Sequence, residues 1–175
     1  MESNIGDTFL YKNVFSYNMI NELNMELDSA MYTEYLYDLA PRSKLEGNYI
    51  SISMHNEIKK CISLALSEYV NIISISNIRF YSQSYGSTKA HYDVPLDGKS
   101  THTLLIYLTD TFEGGELTLK CKIPEDGMKN SNEFILHMIK PKVGHGVLFN
   151  KNIFHWANEV YGTKSIMMID LFIKN

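Results

Sequence analysis

The chain has 175 residues, a formal net charge of −4, 45% apolar and 21% charged residues and only two cysteines. That length supports one domain whose core needs neither disulfides nor a structural metal, and no apolar run is long enough to span a bilayer. The acidic balance, with no Lys/Arg run and no basic stripe interleaved with aromatics, argues against nucleic acid as a partner.

The first residues, MESNIGDTFLYKN, lack the basic-then-apolar order of a secretory signal, so a cytoplasmic location without membrane contact is expected. Met19, Ile20, Leu23 and Leu27 recur with helical spacing, and Asn18 or Ser16 can cap that helix. Residues 40–48, APRSKLEGN, read as a loop. Ile58, Ile62, Leu66 and Val70 then form a second helical face. Cys61 and Cys121 fit neither a zinc knuckle nor a redox pair and read as reduced, packed thiols.

The pattern changes near residue 76. Segments 78–85, 101–108, 115–123, 133–139, 145–149 and 165–173 read as short strands separated by Gly, Asp, Asn and Pro turns, with 124–132 a polar loop. The fold class is therefore α+β and mainly β: a jelly-roll (double-stranded β-helix) core with N-terminal helices packed on it. Residues 1–175 make one domain, with 1–75 helical and 76–175 the core.

In His91-Tyr92-Asp93, an extended backbone sends residues i and i+2 to one side, so an imidazole and a carboxylate can meet at one point. A third ligand must come from elsewhere in the chain. His155, after the strand GVLF and the turn NKN, is a candidate, with His145 and His102 as competitors. Two histidines and one carboxylate on one face form the facial triad of non-haem Fe(II) oxygenases.

Four segments, in order, carry a resemblance: RFYSQSYGSTKAHYD, LLIYLTDTFEGGELTL, PKVGHGVLFNKNIFH and VYGTKSIMMIDLF. Residues 78–173 resemble the prolyl 4-hydroxylase-like branch of the 2-oxoglutarate/Fe(II)-dependent dioxygenase superfamily. The family's distal histidine follows the strand that GVLF resembles, which selects His155 as the third metal ligand and leaves His145 in the turn entering that strand. The family's cosubstrate anchor maps to Lys164. A cation there is chemically sensible, because the buried far carboxylate of 2-oxoglutarate needs a charged partner. Tyr81 and Tyr107 both match positions of a hydroxyl donor to the cosubstrate, and Tyr107 is the favoured one because Leu105, Tyr107 and Thr109 share one face. Gly114 and Gly115 read as structural, allowing a tight turn.

The resemblance implies Fe(II), 2-oxoglutarate and O2 as cofactor and cosubstrates, with ascorbate as reductant. The reaction it implies is hydroxylation of a C–H bond, with succinate and CO2 as coproducts. It points to a prolyl residue in a peptide or protein as substrate. The alternatives are an oxygenase of the same superfamily acting on a free amino acid or nucleic acid, and a jelly-roll binding domain without turnover. Strand alternation puts Asp170 on the face of Lys164, against a reading in which it is solvated. Residues 40–50 and 95–101 are both candidate lids.

Overall fold

The computed structural model describes residues 3–4, 9–28, 32–37, 40–45, 50–122 and 134–174. Ser3–Asn4 (β1) and Phe9–Asn13 (β2) lead into helix Tyr17–Asp28 (α1), which buries Met19, Ile20, Leu23 and Leu27. Of the two proposed caps it is Ser16 that acts, its Oγ accepting from the Met19 amide at 3.2 Å. Tyr32–Tyr37 (β3) and Ala40–Leu45 (β4) follow as an antiparallel pair. Helix Ile52–Leu66 (α2) is capped by Ser51, whose Oγ accepts from Met54 N at 3.1 Å, and buries Met54, Ile58, Ile62 and Leu66. Val70 lies beyond α2 in the turn that closes it, its amide donating to Leu66 O.

The remaining strands are Asn71–His91 (β5), His102–Tyr107 (β6), Glu113–Gly114 (β7), Leu117–Lys122 (β8), Phe134–Ile139 (β9), His145–Asn150 (β10) and Phe154–Lys174 (β11). All pairing is antiparallel, in the order β1-β2-β10-β6-β11-β5-β4-β3, with β7 and β8 on β11 and β9 on β8. The two long strands, each of 21 residues, pair along their length and curl the sheet. The second half of β11 pairs with β6, while its first half pairs with β8. Gly114 makes the turn before β8 possible: its φ is +71°, and an added Cβ would clash with Glu159 O.

Alternation along these strands divides the core. Leu104, Ile106, Leu148, Met167, Ile169 and Leu171 pack with the buried residues of α1 and α2. Leu105, Tyr107, Val147 and Phe149 point the other way, meeting Leu117, Leu119, Cys121 and Ile139 from β8 and β9. Both faces of β6 are covered, so all six of its residues are buried. The jelly roll thus has a helix-backed outer side and an inner side facing its own second layer.

Three expectations need correction. The first 75 residues are not simply helical: they also carry β1 to β4 and the start of β5, and β2 extends the main sheet beside β10. Residues 40–45 form a strand paired with both β3 and β5 instead of a loop; residues 46–48 lie outside the described residues. Segments 78–85 and 165–173 are parts of the much longer β5 and β11. Bulges let these strands bend without ending, and short-range turn signals do not reveal that. The loop expected at 124–132 lies outside the described residues. Among the described residues no helix is long and apolar enough to cross a membrane.

Candidate metal centre

His91 closes β5 and His155 is the second residue of β11, and the two are direct cross-strand partners. Their ring centroids are 4.4 Å apart. Asp93, two residues past His91, places Oδ1 3.7 Å from Nε2 of each histidine. One donor atom from each of the three residues lies within 4.8 Å of the others. Among the described residues this is the one group of three or more His, Cys, Asp or Glu side chains so arranged. His102 and His145, the sequence competitors, stand outside it.

The backbone sets the histidines' orientation. His91 Nδ1 lies 2.8 Å from Lys89 O and His155 Nδ1 lies 2.9 Å from Ile153 O. A carbonyl only accepts, so each Nδ1 carries the proton and each Nε2 lone pair points to the shared space. The outer oxygen of Asp93, Oδ2, accepts from Thr103 Oγ1 at 2.5 Å. His155 is 4% exposed. Burial is the main cause that pushes its imidazole below the ordinary value, against the opposing pull of the Asp93 charge. A neutral imidazole is the form that binds a metal.

A cleft runs from His91 and His155 along the inner side of the sheet, lined by Tyr81, Gln83, Leu105, Phe149, Ile166 and Lys164 among others. Lys164 is only 4% exposed, with Nζ 3.5 Å from Gly115 O. Tyr81 borders the cleft. Tyr107 is buried on the same inner side but is not among the residues bordering the cleft. Sequence reasoning passed over Gln83. It is buried in the cleft, its Nε2 held by Tyr85 O at 3.1 Å and Gly86 O at 2.7 Å. A polar residue on the inward phase of β5 was the available signal.

Beside the triad lies a buried ionic cluster. Asp170 is fully buried and accepts from Lys151 Nζ at 2.7 Å, Arg79 at 2.8 Å and Asn77 Nδ2 at 3.0 Å. It therefore follows the inward alternation from Lys164, and the solvated reading fails. Asn77 sits at the β5 bulge with φ +47°, a conformation Asn tolerates better than most residues. Lys151 and Thr103 were also passed over, since neither belongs to a short motif. The 95–101 turn is tied to β5: Asp97 accepts from Ser76 Oγ at 2.7 Å, Ser100 N at 2.8 Å and Lys99 N at 3.0 Å. These donors hold its carboxyl well below the usual range.

Two imidazole Nε2 atoms and one carboxylate oxygen, converging from one side with the cleft on the other, suit an open-sided Fe(II) site. The donor set is of the kind a facial triad requires. The chain belongs to the 2OG-Fe(II) oxygenase superfamily, whose family model matches residues 76–173. No curated relative matches the sequence. Among solved structures, an oxidoreductase of the 2OG-Fe(II) oxygenase family from Burkholderia pseudomallei superposes with a TM-score of 0.72 at 9% identity, covering 98% of this chain and 94% of that one. A prolyl hydroxylase from Trichoplax adhaerens, in complex with a hypoxia inducible factor peptide fragment, gives 0.69 at 14% identity, over 95% and 84%. The non-haem alpha-ketoglutarate-dependent epimerase SnoN from nogalamycin biosynthesis gives 0.63 at 10% identity, over 94% and 76%. At these identities the likeness is one of fold.

Proposed function

We propose that the protein is an Fe(II)- and 2-oxoglutarate-dependent dioxygenase that hydroxylates a prolyl residue in a peptide or protein. The observation that carries this reading is the convergence of His91, Asp93 and His155 at the mouth of a cleft that also contains the buried Lys164. Bound iron and 2-oxoglutarate would supply the oxidising chemistry with O2, leaving succinate and CO2, and ascorbate would keep the iron reduced.

The chain's own residues bind, orient and exclude water. His91 and His155 offer Nε2 because backbone carbonyls hold their Nδ1 protons. Asp93 adds the negative charge. Lys164 meets the far carboxylate of the cosubstrate, and Tyr81 on the cleft wall is better placed than Tyr107 to donate a hydroxyl. Leu105, Leu117, Phe149, Ile166 and Met168 form apolar walls that keep water from that ion pair and strengthen it. No general base is required of the protein.

Support for a prolyl substrate comes from the YLT…GGE and Gly-Thr-Lys segments and from the peptide-bound prolyl hydroxylase of the same fold. The epimerase neighbour shows that the fold also hosts other chemistry, so the test must discriminate. Purified protein is incubated with Fe(II), 2-oxoglutarate, ascorbate and a library of proline-containing peptides. The expected result is peptide-stimulated succinate release with a gain of one oxygen on proline. Stimulation by a free amino acid or an oligonucleotide, and by no peptide, would move the protein to the other substrate classes. Absence of 2-oxoglutarate turnover under every condition would favour a binding domain.

A further inference from the structure

Thr103 is out of place by composition. It lies on β6 among His102, Leu104, Leu105, Ile106 and Tyr107, in a strand flanked on both sides by β10 and β11. It is 0% exposed. A hydroxyl buried so completely is costly unless it finds a partner, and its neighbour Leu105 on the same face offers none. Its partner is Asp93 Oδ2 at 2.5 Å, the short distance of a hydroxyl donating to a carboxylate.

A second carboxylate competes for that hydroxyl. Asp170 is the cross-strand partner of Thr103 in the β6–β11 ladder. Side chains of such pairs stand on one face within contact reach. Asp170 already accepts three hydrogen bonds: Oδ1 takes Lys151 and Arg79, and Oδ2 takes Asn77. Thr103 donates to Asp93 instead. The two oxygens of Asp93 are then inequivalent. Oδ2 is held by Thr103, while Oδ1 faces both histidine Nε2 atoms.

We propose that Thr103 is a positioning residue that makes Asp93 offer a single oxygen to the metal. Asp93 lies in the stretch after β5 has ended, so no ladder orients its carboxylate; the fixed hydroxyl of a central strand does. With Oδ2 held, the carboxylate is kept from turning to engage both oxygens, and the positions needed by cosubstrate and oxygen stay open. This rests on the reading that His91, Asp93 and His155 hold Fe(II).

The test compares Thr103→Val, which keeps the shape and removes the hydroxyl, with Thr103→Ser, which keeps the hydroxyl. Asp93→Ala serves as the control for the site itself. Calorimetric titration with Fe(II) under anaerobic conditions, the visible spectrum of the Co(II)-loaded proteins and the melting temperature of the metal-free proteins are measured. The expected result is metal binding roughly 10–100-fold weaker in Thr103→Val, the usual range for lost outer-layer hydrogen bonds to a ligand. An altered Co(II) spectrum should accompany it, and Thr103→Ser should restore both. Parent-like affinity and spectrum in Thr103→Val overturn the proposal, even if its melting temperature falls. So does a Thr103→Ser protein as impaired as Thr103→Val, which would assign the effect to packing. If the parent binds no metal, or Asp93→Ala binds it equally well, the underlying site reading fails and the proposal falls with it.

Discussion

His91 and His155 face each other across the β5–β11 ladder, with ring centroids 4.4 Å apart. The pairing fixes both Cα positions by backbone hydrogen bonds, and the Lys89 and Ile153 carbonyls fix both rings. The donor geometry is thus a property of the polypeptide, set before any ion arrives. Such preorganisation lowers the ordering cost of binding.

Replacing either histidine with alanine should accordingly remove tight Fe(II) binding while leaving the fold. His91 is partly exposed, so its loss should hardly change the melting temperature of the metal-free protein. His155 is buried, and its truncation leaves a cavity that should lower the melting temperature further. Titration with Fe(II) and thermal melts check both statements. His91→Ala binding Fe(II) as tightly as the parent would refute the ligand assignment.

Lys164 carries the second prediction. Its Nζ is buried in the cleft, where a carboxylate would be poorly hydrated. Lys164→Ala should weaken 2-oxoglutarate binding by roughly 2–4 kcal/mol, the usual effect of removing one partner from a buried charged pair. Lys164→Arg should recover part of that, because charge survives while the point-charge geometry does not. Equal cosubstrate affinity in Lys164→Ala and parent protein would exclude the pairing.

What the sequence revealed and what it hid follow from the range of the interactions involved. His-x-Asp is a local pattern, and the i, i+2 rule is enough to bring His91 and Asp93 to one side. The helical stripes of α1 were equally local: the residues that recur at helical spacing are those found buried. The partnership of His155 with His91 joins the ends of two distant strands, and only the resemblance to a family selected it over His145 and His102. Lys151, Arg79 and Asn77 meet Asp170 from three separate segments, and no spacing rule links them. The strand at Ala40–Leu45 escaped because Pro41 and the surrounding polar residues read as a loop. The β5 residues Tyr81, Ser82 and Gln83 that pair with it override local propensity.

The buried cluster makes a stability prediction. Lys151 is 4% exposed and Asp170 is fully buried, 2.7 Å apart. Lys151→Met should destabilise the metal-free protein by about 3 kcal/mol or more, since it leaves a buried carboxylate short of charge, with Arg79 as its remaining cation. The double variant Lys151→Met, Asp170→Leu should recover part of the loss, because it removes the uncompensated charge as well. Urea denaturation of the parent, the single and the double variant measures this. A Lys151→Met protein as stable as the parent would show that the pair contributes nothing net.

The last prediction concerns pH. His102 is 5% exposed, and burial together with the nearby Lys151 charge depresses its pKa from 6.5 to about 4. Its folded pKa is below its unfolded one, so the unfolded chain takes up a proton first as pH falls. The contribution of neutral His102 is therefore fully present above pH 6.5 and is lost progressively between 6.5 and about 4. Across the whole window the loss is on the order of 3 kcal/mol. His155, also depressed by burial, acts in the same direction, so the total acid sensitivity does not isolate His102. The difference between the parent and His102→Asn does, with the asparagine amide standing in for the Nδ1 contact to Thr101 Oγ1 at 2.8 Å. Melting temperatures of the two metal-free proteins should diverge most above pH 6.5 and converge toward pH 4, as the parent loses stability that the variant lacks. Parallel melting curves against pH across this range would show that His102 titrates alike in the folded and unfolded chains.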